Sequence, residues 1–224
     1  MTGVQTCALP ILPTMRAALK RLELRLRALA PKPLRQFYRV SRSLGAGPSQ
    51  ARAFPSNLTA GCEVCGSRYD MLDRLPKGGT IAELGTETGA FAKQILERVQ
   101  PHRLHVVDLD YSRFDQALSS DPRLERHTGM THAVIAAFPD AHFDWIYIDA
   151  DHSYDGVLRD ALASAPKIKP GGLMIFNDFA HIDPNLGRYG VQRAAIEFAT
   201  DAKWPMRYFA LERSALYDVA FKKP

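Results

Sequence analysis

Acidic residues are almost missing from one stretch of this chain. Residues 12–54 carry ten Lys or Arg against a single acid, Glu23, for a net of +9. The 224-residue chain is +5 overall and residues 1–11 are uncharged, so residues 55–224 are left at −4. Basicity confined to one arm excludes a globally cationic, nucleic-acid-binding surface. Long apolar runs are also missing: none reaches the roughly 18 residues that would cross a bilayer. Cysteine is scarce, with only Cys7, Cys62 and Cys65. The pair in CEVC has no second pair to complete a four-ligand structural zinc, and it opens no thioredoxin-like helix. Ordinary thiols in a reducing compartment are expected, which points to a cytoplasmic protein. No internal repeat or low-complexity tract interrupts the chain.

Residues 1–11, MTGVQTCALPI, read as the translation of a sequencing adapter and are set aside as a scar. Residues 12–60 form a basic, helical N-terminal arm. In it Leu19, Leu22, Leu26 and Leu29 recur at helical spacing, Lys20, Arg21, Arg25 and Arg27 fill other positions, and Pro31 and Pro33 close the segment. Such a face packs on its own domain or on a sister subunit, giving a homodimer through the arm. RNA or an anionic membrane surface is the alternative partner.

From about residue 61 to 224 the pattern is regular. A helix over Tyr69–Leu75 precedes the apolar strand TIAELG. Helices then alternate with LHVVDLD, RLERHTG, FDWIYIDAD and GGLMIFND. MRYFALE and ALYDVAFKK follow the last helix, separated only by Arg213 and Ser214. Alternating strands and helices imply an α/β, doubly wound parallel sheet. Two last strands joined so closely must be antiparallel.

The turn after TIAELG is where such folds bind a nucleotide. Here it reads G-T-E-T-G rather than G-x-G-x-x-G, and Glu83 and Glu87 flank it. Those acids would repel a dinucleotide pyrophosphate, which counts against an NAD-linked oxidoreductase. A ligand with an ammonium, a sulfonium and no phosphate has the opposite requirement, and S-adenosylmethionine is such a ligand. Asp108 ends the second strand, where an acid can hold ribose hydroxyls.

ELGTETG, VVDLD, FDWIYIDADHSYDGVLRD and KPGGLMIFNDF, in that order and spacing, resemble the class I S-adenosylmethionine-dependent methyltransferases. The nearest subgroup carries DxDHxY after the fourth strand and is similar to metal-dependent O-methyltransferases. The resemblance covers residues 66–224. It implies a Rossmann-like sheet of seven strands in the order 3-2-1-4-5-7-6, with the last strand antiparallel. It also implies that Glu83, Gly85, Thr86 and Gly89 line the methionine end of the cofactor, that Asp108 holds the ribose, and that Met130 and Thr131 lie near adenine. The usual first motif has Gly where this chain has Glu87.

The stretch IDADHSYDG places Asp149 at the end of strand four, and Asn177 and Asp178 end strand five beside it. Two carboxylates and an amide oxygen form a hard-oxygen set suited to Mg²⁺. The resembled enzymes carry acids or acid–amide pairs at these positions, here in the order Asn then Asp. His152 opens the next helix, where a helix N-terminus disfavours imidazolium. A neutral imidazole there could accept a proton from a substrate hydroxyl, making His152 the expected base with Asp149 beside it. Asp151 and Ser153 are candidates to cap that helix. No N/D-P-P-Y follows strand four, which disfavours adenine-amino methylation. O-methylation of a small hydroxylated metabolite is expected. An RNA-directed methyltransferase guided by the basic arm is the alternative.

Overall fold

The computed structural model describes residues 50–183, 187–213 and 216–224. The Leu19–Leu29 face and Cys7 lie outside these residues. The larger of two compact units comprises Pro48–Ile182 and Arg188–Pro224, and the site described below lies in it. Its elements in chain order are α1 (Ser56–Thr59), β1 (Glu63–Cys65), α2 (Arg68–Arg74), β2 (Thr80–Leu84), α3 (Ala90–Arg98), β3 (Arg103–Asp108), β4 (Leu124–Thr128), α4 (Thr131–Ala136), β5 (Phe143–Ile148), α5 (Tyr154–Ser164) and β6 (Ile168–Phe176). Two strands of two residues, β7 (Ile182–Asp183) and β8 (Gly187–Arg188), precede α6 (Val191–Ala202), β9 (Met206–Ala210) and β10 (Asp218–Lys222).

Period-two alternation sends neighbouring side chains to opposite faces of the sheet. On β5, Ile146 and Ile148 enter one core with Val107, Phe176, Val157 of α5 and Phe198 of α6. Trp145 and Tyr147 enter the other with Val106, Ile175, Met71 and Leu72 of α2, and Ile95 and Leu96 of α3. Because both faces are covered, β2, β3 and β5 read as near-continuous apolar runs. Ala92, Ile95 and Leu96 of α3 and its C-cap residue Val99 are buried, the i, i+3, i+4, i+7 stripe of a helix laid on a sheet. Each such aliphatic residue cut back to Ala would cost roughly 2–5 kcal/mol.

Among the described residues the main sheet has eight strands rather than the seven expected, in the order β4-β3-β2-β5-β6-β10-β9-β1. The difference from the expected order is an added edge strand. β1, the Glu-Val-Cys of CEVC, pairs parallel with β9 through Glu63–Tyr208, Val64–Phe209 and Cys65–Ala210. At three residues, with an acid at its head, it carries no readable periodicity. β10 runs antiparallel to both β6 and β9. Its connection to β9 is longer than Arg213–Ser214, since β9 ends at Ala210 and β10 begins at Asp218. Ahead of β1, Phe54 packs edge-on against Phe221 of β10, with ring centroids 5.5 Å apart. No helix of the described residues is long and apolar enough to cross a membrane.

Candidate active site

Three strands deliver the site. The backbone ladder continues past their carboxyl ends: Gly85 N–H donates to Val107 O at 2.8 Å, Asp149 N–H to Leu84 O at 2.8 Å, and Asn177 N–H to Ile148 O at 3.1 Å. The segments after β2, β5 and β6 are thereby each held against the neighbouring strand's end. Gly85 has φ +86°, and a Cβ there would fall 2.1 Å from the carbonyl oxygen of Asp149. Only glycine lets the first loop lie directly on the Asp149 backbone. Glu87 also has a left-handed φ, +46°, at the position where the resembled motif carries Gly.

A cleft of about 720 Å³ opens over these loops, within the range of small-molecule sites. Glu83, Gly85, Thr86, Asp108, Met130, Thr131, Asp149 and His152 line it, as does Phe91, whose ring lies tilted against Tyr147 with centroids 4.3 Å apart. Glu83 is 1% exposed, and its Oε2 accepts the Thr86 hydroxyl at 2.8 Å. Burial pushes its carboxyl up to about 8, against the Thr86 bond and with help from the charges of Asp149 and Asp108.

Asp108 locks the glycine loop. Its Oδ2 accepts the backbone N–H groups of Thr86 at 3.0 Å and Glu87 at 2.8 Å. Its Oδ1 accepts those of Leu109 at 2.7 Å and Asp110 at 3.3 Å. A dinucleotide pyrophosphate would need the loop N–H groups, and here a carboxylate has taken them. The long bond from Asp110 is the weakest of the four and the one a ribose hydroxyl would most easily replace.

At the far end of the cleft, His152 Nε2 lies 3.2 Å from Asp149 Oδ1 and 3.8 Å from Asp178 Oδ2. It is buried and aligned for a proper hydrogen bond with neither. Burial opposes charge on the ring, but Asp149 and Asp178 outweigh it, so its pKa is raised. In setting the direction of this shift, two nearby carboxylates outweigh the partial dipole charge of the helix terminus. The ring stacks on Tyr189 at 4.4 Å. Ser153, rather than Asp151, caps α5 by accepting the Gly156 N–H at 3.1 Å.

Behind His152 runs a network that the sequence does not announce. Arg68, from the first turn of α2, lies 3.8 Å from Asp178, 3.3 Å from Asp218 and 3.6 Å from Glu212. The Asn177 amide donates to the Tyr147 hydroxyl at 2.8 Å, which donates to Asp218 Oδ2 at 2.7 Å. Burial raises Asp218 to about 7, with Arg68 opposing. Asp149, Asn177 and Asp178 are gathered at one sheet edge as expected. Their surroundings are those of an ion-pair network in which Arg68 already supplies the fixed positive charge. Asn177 and Asp178 do not line the cleft, and neither does Gly89, which sits against the Phe114 ring. Thr131 lines the cleft, but its hydroxyl donates to Asp160 Oδ1 at 2.6 Å, tying α4 to α5.

The fold is thus a parallel sheet ending in an antiparallel hairpin, with an acid-lined cleft over its carboxyl ends. A family model described as a methyltransferase domain matches residues 82–179, the span from β2 to just past β6. N-methyltransferase NodS from Bradyrhizobium japonicum, in complex with S-adenosyl-L-homocysteine, is 20% identical with a TM-score of 0.54, covering 70% of this chain and 86% of that one. The pyocyanin biosynthetic protein PhzM is 13% identical with a TM-score of 0.56, covering 71% of this chain; this chain spans 55% of PhzM. Spermidine synthase from Thermotoga maritima is 15% identical with a TM-score of 0.51, covering 71% of this chain and 58% of that one. A comparison with curated proteins finds no match. Together the family-model match and the shared fold support an enzyme of the class I methyltransferase type.

Proposed function

We propose that this protein transfers a methyl group from S-adenosylmethionine to a hydroxyl oxygen of a small molecule. The observation that carries this is the cleft's cofactor end: a buried carboxyl at Glu83 beside a glycine loop whose N–H groups are spent on Asp108. Such an end suits an ammonium and a ribose and repels a pyrophosphate. S-adenosylmethionine supplies an activated methyl on a sulfonium. Glu83 would hold the ammonium in its ionised form, Asp108 the ribose, and Met130, 50% exposed at the cleft wall, would lie near adenine. Gly85 fixes the loop against Asp149.

At the other end His152 acts as the base. Its deprotonated Nε2 takes the hydroxyl proton as the oxygen–methyl bond forms and the sulfur–methyl bond breaks. The imidazolium that results is stabilised by Asp149 and Asp178, which flank the ring in the resting protein. Arg68 holds Asp178 in place from behind. An Mg²⁺-assisted version would use Asp149, Asn177 and Asp178 as ligands, and the ion would have to compete with Arg68 for Asp178.

The test is His152→Ala beside Asp178→Ala, on a substrate found by screening phenols and sugars. His152→Ala should lower turnover by roughly 10²–10⁴-fold with cofactor affinity unchanged. Turnover within about threefold of wild type would leave the histidine a positioning role only. Wild-type activity that survives excess chelator would remove the metal version. Restoration of Asp178→Ala by added Mg²⁺ would support it.

A further inference from the structure

A second cluster of chemistry-bearing side chains lies on β3 and β4, away from the cleft. The two strands run parallel in the register His105–Glu125 and Val107–His127. Side chains two apart on β4 share a face, so Glu125 and His127 both look towards His105. His105 Nδ1 is 2.9 Å from His127 Nε2. Glu125 Oε2 is 3.8 Å from His105 Nδ1, and Glu125 Oε1 is 3.5 Å from His127 Nε2. Among the described residues this is the one group of three or more His, Cys, Asp or Glu whose ligand atoms all lie within 4.8 Å of one another.

We propose that His105, His127 and Glu125 form a binding site for one Zn²⁺-class transition-metal ion at the β3–β4 edge. Zinc binds imidazole nitrogen and carboxylate oxygen at about 2.0–2.2 Å, which places ligand atoms in a tetrahedral shell about 3.3 Å apart. The two imidazole nitrogens lie a few tenths of an ångström inside that spacing and each faces a different Glu125 oxygen at 3.5–3.8 Å, so the triad closes around an ion by a slight parting of the rings and a rotation of the half-exposed Glu125 carboxylate to present one oxygen. Two imidazoles select a borderline metal over Mg²⁺ or Ca²⁺, which prefer all-oxygen shells.

The surroundings suit a metal. The His105 side chain is 7% exposed, whereas those of His127 and Glu125 are 23% and 49% exposed, giving one anchored ligand and an open path of entry. The Phe138 ring stands edge-on to both imidazoles, at 5.0 Å from His105 and 5.4 Å from His127, and restricts their rotation. A hollow of about 420 Å³ beside His127, walled by Val134, Ala137 and Phe138, leaves room for water or an exogenous fourth ligand. A carboxylate and two histidines with an open position is the shell of sites that bind a further molecule. The ion would also cross-link the edge strand β4 to β3.

The experiment is a Co²⁺ titration of the metal-stripped full chain, followed by visible absorption, with Zn²⁺ competition measured by calorimetry. One equivalent should bind with the intense absorption of a four-coordinate site, and Zn²⁺ should displace it. His127→Ala and Glu125→Gln, both on the accessible side, should each weaken binding at least tenfold with unchanged circular dichroism. A Cys62→Ser/Cys65→Ser variant should bind as wild type does. Absence of Co²⁺ binding, equal binding by His127→Ala, or loss in the double cysteine variant would each overturn the assignment.

Discussion

Glu83→Gln tests the electrostatics of the cofactor end most directly. The Glu83 carboxyl would titrate near 4.5 in an unfolded chain and is pushed to about 8 in the fold. The folded state therefore keeps a proton that the unfolded state has released. Stability from this group is fully present below about pH 4.5 and is lost as pH rises, at about 1.4 kcal/mol per unit, until the folded group ionises near 8. Glutamine keeps an acceptor for the Thr86 hydroxyl and removes the titration. The ligand-free variant should match wild type at pH 5 and exceed it at pH 8 by at most about 4 kcal/mol. Asp149, Asp178 and Asp218 are also raised by burial and steepen both curves alike, so the difference isolates Glu83. Binding should move the other way. An ammonium needs the ionised carboxylate, so wild-type affinity rises with pH towards 8 with proton release, whereas the variant is flat and weaker by about 1–3 kcal/mol. Thermal denaturation from pH 5 to 9 and calorimetry in buffers of different ionisation enthalpy measure both effects. Parallel melting curves for the two proteins, or undiminished cofactor affinity in the variant, would refute the assignment of Glu83.

Gly85→Ala should abolish cofactor binding and lower the melting temperature, because the new Cβ meets the Asp149 carbonyl at 2.1 Å and the φ of +86° adds about 1–2 kcal/mol of strain. Glu87→Gly should stabilise the ligand-free protein by up to about 1 kcal/mol in chemical denaturation, since its φ of +46° suits glycine and the Arg113 pair it gives up is exposed. Arg68→Met leaves Asp178 and Asp218 without their cation and should cost about 3–5 kcal/mol in the same assay. The pKa of His152 is raised from its ordinary 6.5, so turnover should climb with pH through a limb displaced upward from that value and lose the limb in His152→Ala.

Much of the sheet was legible because both its faces are buried. FDWIYI, TIAEL and HVVD are mostly apolar, with single polar residues such as Asp144, Glu83 and His105, and turns rich in glycine and acid mark their carboxyl ends. The cleft residues were legible for the same reason: Glu83, Gly85, Asp108, Asp149 and His152 all fall where a buried run stops. β1 was not legible, since a three-residue strand takes its existence from its partner, β9. Arg68 was hidden differently. It looks like any helix-opening cation, and its partners Glu212 and Asp218 lie 144 and 150 positions away. Tyr147 reads as core, and only the fold shows its hydroxyl between Asn177 and Asp218. The direction in which the His152 pKa is shifted follows the nearby carboxylates rather than the helix end, a matter of distances that spacing along the chain does not give.

The added edge strand has a consequence for how copies of this protein meet in concentrated solution. An unpaired strand edge is an invitation to a neighbour's backbone. β1 is only three residues long and presents Val64, 63% exposed, to solvent. Beside it Glu63 is paired with Arg207 at 2.7 Å and Arg74 at 3.4 Å, a strongly hydrated knot at the head of the strand. Brevity and fixed charge together make this border, where the sheet of the described residues ends, a poor template for a strand of the next molecule.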